Sequence, residues 1–487
     1  MITITRLLAR QIATMLRHLF PNKSERSTLR PVRITAGPDG LCIEAHNSRF
    51  AFQYREPTPM PPASLTVAPE MFKELGGGKP TLVTLAAEND GPVIARWQDG
   101  AVPRSAEYDA TTSCALEPVK LKLPDIWTDC PPEFLPALRD TAAVTDANPS
   151  RYALNCVQVD GKAGSLAATD GHQALLHSGF QFGFKDELLI PATGVFGCEE
   201  LRGASGVRLG KTERHLVIMS GNWAIFAAIE TGARFPKIRD VIPDRQQAKT
   251  TLALNAADCE FLADSLPRLP GDDNVNRPIT VDLNGCVAIR AKGRDNDPAT
   301  ELVLRNTIRT GDEVCVNIDR QFLVRAVRLG FNQLLIHGPD KPLQCFDGRR
   351  TYFWMPLNGE NPVRADAQTV VIESPMPNNS ATAAQSSPPV RQRSSPSTTA
   401  IQEKASVPAS KHTPANSSSV KPPVNGDGTA KPGAGPGPIE QVAALSELAR
   451  ELLSKSNNLL HTLKRQRKQH RLMQSTLQSL RQLQAAG

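Results

Sequence analysis

Apolar and polar residues alternate over Ile2, Thr3, Ile4 and Thr5, the two-residue period of a half-buried strand, and then the period changes. From residue 6 to residue 20, Leu8, Ile12, Met15, Leu16 and Leu19 recur at about 100° per residue, while Arg6, Arg10 and Arg17 gather on the opposite side. Pro21 stops this helix. Extended runs follow at 32–36 and 41–45 around the turn residues Gly37, Pro38, Asp39 and Gly40, and again at 50–54. A short helix is predicted near 69–75, then a hairpin from 81–86 and 93–97.

The same order of elements recurs twice. A helix over 132–144 precedes strands at 152–159 and 165–177, a short helix at 195–201 and strands to 229. From residue 250 a helix over 256–266 precedes strands at 279–291 and 301–307, a helix at 320–329 and strands to 355. Three stretches of about 120 residues with one element order read as an internal repeat. The expectation is an α+β chain of three domains, 1–120, 121–247 and 248–364.

Beyond them the pattern changes character. Residues 365–437 are Pro, Ser, Thr, Ala, Asn and Gly with hardly an aromatic, too little apolar area to offset the entropy of ordering, so a disordered linker is expected. Over 438–487, Leu445, Leu452, Leu459, Met473 and Leu480 recur every seven residues or multiples of it, which predicts an amphipathic helix and a coiled-coil seam. The run Lys464, Arg465, Arg467, Lys468 and Arg471 lies on that helix as solvated surface or a nucleic-acid contact.

One stretch organises the folded part. Residues 165–169 and 173–177 are apolar enough for strands, and Asp170-Gly171 between them is a dipeptide that reaches positive φ in a tight hairpin turn. Two distant segments have matching character: Arg234 to Pro243, whose prolines mark a strand exit, and Tyr352 to Leu357, an aromatic and thioether cluster ending at Met355-Pro356-Leu357. Together, the Ala168-Thr169-Asp170-Gly171-His172 hairpin, the Arg234-Phe235-Pro236 and Val241-Ile242-Pro243 pair and the terminal Met-Pro-Leu resemble the bacterial replicative sliding clamp, the β subunit of DNA polymerase III. The resemblance covers roughly residues 1–364 and is strongest from Leu154 onward.

That resemblance implies three similar clamp domains per subunit and a head-to-tail homodimer closed into a ring around duplex DNA. It implies a DNA polymerase, other proteins carrying clamp-binding motifs and a clamp loader as partners. It places a hydrophobic peptide cleft between the second and third domains. Carried over by residue, the cleft comprises Leu154, Thr169, Gly171, His172, Gln173, Pro236, Asp240, Val241, Met355, Pro356 and Leu357. Such a cleft works because Leu or Phe side chains of an extended peptide bury area worth about 1.5–3 kcal/mol each before ordering costs. Two positions depart from the family's pattern: Gln173 stands where a basic residue is usual, and Asp240 where arginine is usual, giving an acidic lip. The family's DNA-contacting loops resemble the stretches around Arg26 and around Arg151 and Tyr152. With Arg6, Arg10, Arg17, Arg325 and Arg328 on predicted helices they offer a partly basic lining for phosphate attraction. Glu260 and Asp264 on the third domain's first helix interrupt it.

Composition narrows the alternatives. The chain has 487 residues, 40% of them apolar, enough for a sizeable core, and a formal net charge of +7 that favours a polyanionic partner only weakly. Its nine cysteines stand singly, without the spacing of a metal site or a disulfide framework, as expected of small buried hydrophobes in the cytoplasm. No signal-peptide core, membrane span, Gly-rich phosphate loop or nucleophile elbow is present in the sequence. Asp170 and His172 are a poor catalytic dyad, because an Asp in the turn itself bonds the local backbone. The expected protein is therefore a non-enzymatic processivity factor with no cofactor, metal or membrane. The competing expectation is a clamp-like interaction scaffold that does not encircle DNA.

Overall fold

The computed structural model describes residues 1–21, 31–87, 91–109, 121–147, 152–202, 206–271, 276–293, 297–357 and 361–376. All of them belong to one compact unit, Met1–Gln385. Arg26, Arg151 and the expected helix at 438–487 lie outside the described residues.

Helices form where the apolar period places them. Helix Arg6–Leu19 begins at Thr5, whose Oγ1 accepts from Leu8 N at 3.0 Å, and it buries Leu8, Ala9, Ile12, Met15, Leu16 and Leu19. Asn255 caps helix Ala256–Ser265 by accepting from Ala257 N at 3.0 Å, and Asp319 caps helix Arg320–Arg328 by accepting from Gln321 N at 2.9 Å. Helices Glu70–Leu75 and Phe134–Ala142 also stand near their expected places. The helix expected at 195–201 is instead two 3-10 turns, Gly194–Gly197 and Glu199–Leu201. Gly197 and Cys198 interrupt the apolar run there, and the Cys198 backbone is extended.

Among the described residues the strands form four sheets, and two of them cross from one repeat to the next. The first repeat's Phe50–Glu56 pairs antiparallel with the second's Trp223–Ala228, with Trp223 opposite Tyr54 and their rings 4.8 Å apart. Likewise the second repeat's Gln173–Ser178 pairs antiparallel with the third's Arg350–Trp354, in the register Gln173 to Trp354 through His177 to Arg350. The backbone ladder therefore continues through both seams and fixes neighbouring repeats to each other. One apolar core runs through the first two repeats, from Ile12 and Phe72 to Phe134, Ile190 and Ile225, and a second fills the third, around Leu262, Ile289, Leu323 and Trp354.

Several short strands were not expected from the sequence: Ala63–Val67, Val102–Tyr108, Thr128–Cys130, Glu187–Pro191 and Ile308–Gly311. Four of these, all but Val102–Tyr108, are of three to five residues, and each of the five ends a sheet. The strand expected from residue 152 begins at Cys156, because residues 152–155 turn.

One boundary needs correcting. The linker expected from residue 365 contains a further strand, Val370–Glu373, paired parallel with Thr300–Val303 at the edge of the third repeat's five-stranded sheet. Its three consecutive β-branched residues favour extended backbone, a local signal that the surrounding Pro and Ser composition hides.

Candidate partner cleft and basic helix face

The hairpin is built as its sequence dictates. Gly171 has φ +92, and a Cβ there would meet Leu154 Cδ1 at 4.0 Å and nothing nearer, so it is backbone conformation that selects glycine. Asp170 sits in the turn and its Oδ1 accepts from His172 N at 2.8 Å and Gln173 N at 3.0 Å. The Thr169 hydroxyl accepts from Gly171 N at 3.0 Å and donates to Gln173 O at 2.6 Å. The Asp170 carboxylate is thus committed to the turn, as its position in the sequence implies.

Three segments far apart in sequence meet at this hairpin. Ala167, Ala174 and Leu176 of the hairpin, Phe235 and Ile238 of the exit segment and Phe353 of the terminal strand form a small apolar cluster separate from both main cores. Met355 N donates to His172 O at 2.9 Å, which carries the terminal strand past the hairpin, and Leu357 N donates to Asn317 O at 2.8 Å. Ala153 N donates to Arg234 O at 3.1 Å, which ties the turn bearing Leu154 to the exit segment. Residues Ile238–Val241 form a 3-10 turn held partly by Arg239, whose Nη2 donates to Ser165 Oγ at 2.6 Å.

Above this cluster the expected cleft residues divide into rim and floor. Gly171, His172 and Asp240 are exposed, Val241 is 59% exposed and Met355 42%, and Leu154, Pro236 and Leu357 are half-buried. Thr169 and Pro356 are buried beneath them. Gln173 does not stand on the lip where it was expected: it is only 5% exposed and its amide points into the seam. Its Nε2 donates to Asp170 Oδ2 at 2.7 Å, while its Oε1 accepts from the Tyr352 hydroxyl at 2.6 Å and from Arg325 Nη1. Burial pushes the Tyr352 phenol well above its ordinary range, so it stays a donor. The acidic lip is consequently Asp240 alone of the two departing positions.

The candidate DNA residues are less uniform. Arg10, Arg17 and Arg328 are exposed, as is Tyr152. Arg6 is half-buried, with Nη1 on Asp99 Oδ1 at 3.2 Å and Nε on Leu75 O at 3.2 Å. Arg325 is held by Gln173, Arg328 Nη2 donates to Ala263 O at 3.3 Å and Arg17 Nη2 lies 3.5 Å from His18 Nε2, so four of the expected arginines have contacts within the protein, Arg6 and Arg325 being the two that are not exposed. What the sequence did not reveal is a cavity of about 510 Å³ where the second and third repeats meet. Its walls include Arg139, Arg277, Arg320, Arg325 and Arg328 against the single carboxylate of Asp140. Arg320 is the structural member, buried with its guanidinium donating to the carbonyls of Leu266, Leu269, Pro270 and Arg277, and burial lowers its pKa. Arg139, Arg277 and Arg328 are the exposed cations of the group, and Arg139 pairs with Asp140 at 2.6 Å. Among the described residues no group of three or more His, Cys, Asp or Glu side chains could hold a metal, and no helix is long and apolar enough to cross a membrane.

Sheets that run on from one expected repeat into the next define the sliding-clamp fold, and this chain has it. The DNA polymerase III subunit beta sliding clamp from Pseudomonas aeruginosa, solved bound to griselimycin, superposes at a TM-score of 0.59 with 15% identity, over 73% of this chain and 98% of that one. The clamp from Bacillus subtilis gives 0.58 and 17% over 74% and 99%, and the beta chain from Streptococcus pneumoniae 0.57 and 13% over 73% and 99%. No protein-family model and no curated protein matches the sequence.

Proposed function

We propose that the chain is a non-enzymatic DNA polymerase processivity factor: a homodimeric ring around duplex DNA that tethers a polymerase and other motif-bearing proteins through the cleft between its second and third repeats. The observation that carries this reading is the meeting of hairpin, exit segment and terminal strand over one small apolar cluster, with Leu154, Val241 and Met355 left accessible above it. Accessible apolar side chains over a rigid ladder suit a short peptide that buries two or three large residues. The three repeat boundaries, the clamp loader and the cytoplasmic setting belong to the same proposal. Retention on nicked circular DNA with a loader present, and loss once the circle is linearised, is the expected outcome. Equal retention on both forms, or on neither, would sink encirclement.

A second reading, an interaction scaffold that does not encircle DNA, draws on Arg6 and Arg325 being engaged within the protein and on the exposed carboxylate of Asp264 on helix Ala256–Ser265, paired with Arg268 at 2.7 Å. It keeps the cleft and gives up the ring. In the same assay it expects no retention on circles while peptide binding persists.

A further inference from the structure

The basic cavity and the candidate cleft lie along the same seam, and one side chain is tied to both. Arg325 lines the cavity while its Nη1 donates to Gln173 Oε1, and Gln173 Nε2 donates onward to Asp170 Oδ2 at 2.7 Å. The other oxygen of that carboxylate accepts from His172 N and Gln173 N, so it sets the hairpin turn. His172 stands exposed on the cleft rim, and its carbonyl accepts from Met355 N at 2.9 Å. A continuous run of hydrogen bonds therefore joins the cavity wall to the rim residues His172 and Met355.

The turn at the end of this run is held by those bonds more than by packing. Gly171 and His172 are exposed, Asp170 is half-buried, and a Cβ on Gly171 would find nothing nearer than 4.0 Å. A turn with few packed neighbours takes its order from its hydrogen bonds. Gln173 is also one of the two positions at which this chain departs from the sliding-clamp pattern, where a basic residue is usual. A lysine or arginine there would offer Arg325 no acceptor and would repel it. The amide, which accepts on one side and donates on the other, is what makes the relay.

The cavity end of the run suits a phosphate group. Among the described residues its walls carry five guanidinium groups and one carboxylate, that of Asp140, which Arg139 already pairs. Burial first, and then the Arg277 charge, lower the pKa of Arg320, so arginines of this site act against one another. Planar guanidinium forks match the oxygens of a phosphate, and a volume of about 510 Å³ admits a compact polyphosphate or a short stretch of nucleic-acid backbone. Such an anion offsets the repulsion and holds Arg325 where it bonds Gln173.

Resting on the cleft reading above, we infer that a phosphate group in the arginine cavity and a peptide in the cleft strengthen each other's binding through Arg325, Gln173 and Asp170. Coupling of this kind is reciprocal by thermodynamic necessity, and a factor of about five is expected.

The test titrates a labelled Leu- and Phe-bearing linear peptide against the full-length chain with and without saturating inorganic tripolyphosphate, at ionic strength matched with sodium chloride, and again with a short duplex. Peptide affinity should rise about fivefold with at least one of the two anions. A rise with tripolyphosphate alone makes the ligand a free polyphosphate, and a rise with the duplex alone makes it the nucleic-acid backbone; either carries the inference. Gln173→Met keeps every arginine of the cavity and Arg325→Met removes only the one that meets the relay, so each should bring the ratio of affinities with and without anion to about one. Tyr352→Phe leaves the relay in place and should keep the wild-type ratio. Equal or lower peptide affinity with both anions would overturn the inference and leave the cleft reading standing, and so would a rise that persists in Gln173→Met or in Arg325→Met. A wild-type chain that binds no such peptide would overturn the cleft reading, and this inference with it.

Discussion

At the residue scale, the seam beneath the cleft separates side chains that recognise from side chains that hold. Gln173 and Tyr352 form the holding pair, since the buried phenol donates to the Gln173 amide oxygen at 2.6 Å. Gln173→Leu leaves that hydroxyl and Arg325 without their partner, at a cost of about 1–3 kcal/mol in denaturant unfolding. Met355 is 42% exposed and Leu154 half-buried, so truncating both to alanine should sharply reduce binding of a Leu- or Phe-bearing linear peptide and leave the unfolding midpoint nearly in place. Unfolding by the Met355→Ala and Leu154→Ala pair without a peptide-specific loss would make them core residues instead. The sequence marked this hairpin through Asp170-Gly171 but gave the wrong direction for Gln173. The first four positions of its strand, Gln173 to Leu176, are all buried, so polar and apolar alternation, which normally tells the two faces apart, carries no information there.

At the element scale, the continuous ladders make the seams the sites where local chemistry acts on domain arrangement. His177 sits on the second seam, opposite Arg350 in the register and 5.1 Å from the Phe180 ring. Burial first, and then the Arg350 charge, hold its pKa below the ordinary value of 6.5. The unfolded chain therefore takes up a proton before the folded one as pH falls. Stability should be unaffected by this group above the ordinary value, fall as pH drops through it and be fully reduced below the folded pKa. His177→Phe should flatten that acid limb in chemical unfolding followed from pH 7.5 to 5; an unchanged slope would exclude His177 as its source. His215, also lowered by burial, shifts in the same direction but lies on a different sheet, which makes His215→Phe the comparison for a seam-specific effect. Helices Arg6–Leu19 and Arg320–Arg328 were legible because each has one apolar face, whereas Val102–Tyr108 is largely exposed on both sides and shows no alternation to read.

At the scale of the whole molecule, the repeats bring together charges that the sequence keeps far apart. Arg139 belongs to the second repeat and Arg277 and Arg328 to the third, yet all three line the same cavity, a juxtaposition set by the Gln173–Ser178 and Arg350–Trp354 ladder and not by spacing along the chain. Helix periodicity singled out Arg325 and Arg328 among the arginines of this cavity but not Arg277, which lies just before strand Pro278–Asp282 and on no amphipathic face. If duplex DNA passes this surface, each phosphate neutralised adds about 0.9 to the magnitude of the slope of log affinity against log salt, whatever the base sequence. Arg277→Ala and Arg328→Ala should each lower affinity for unrelated duplexes alike and reduce that slope by about one, with peptide binding at the cleft untouched. Arg320→Ala is the contrasting case, because it strips donors from four carbonyls in a buried site and should show first as lost stability. A salt slope that survives the double substitution Arg277→Ala and Arg328→Ala would place the duplex elsewhere, and would turn the balance of the two proposed functions toward the scaffold.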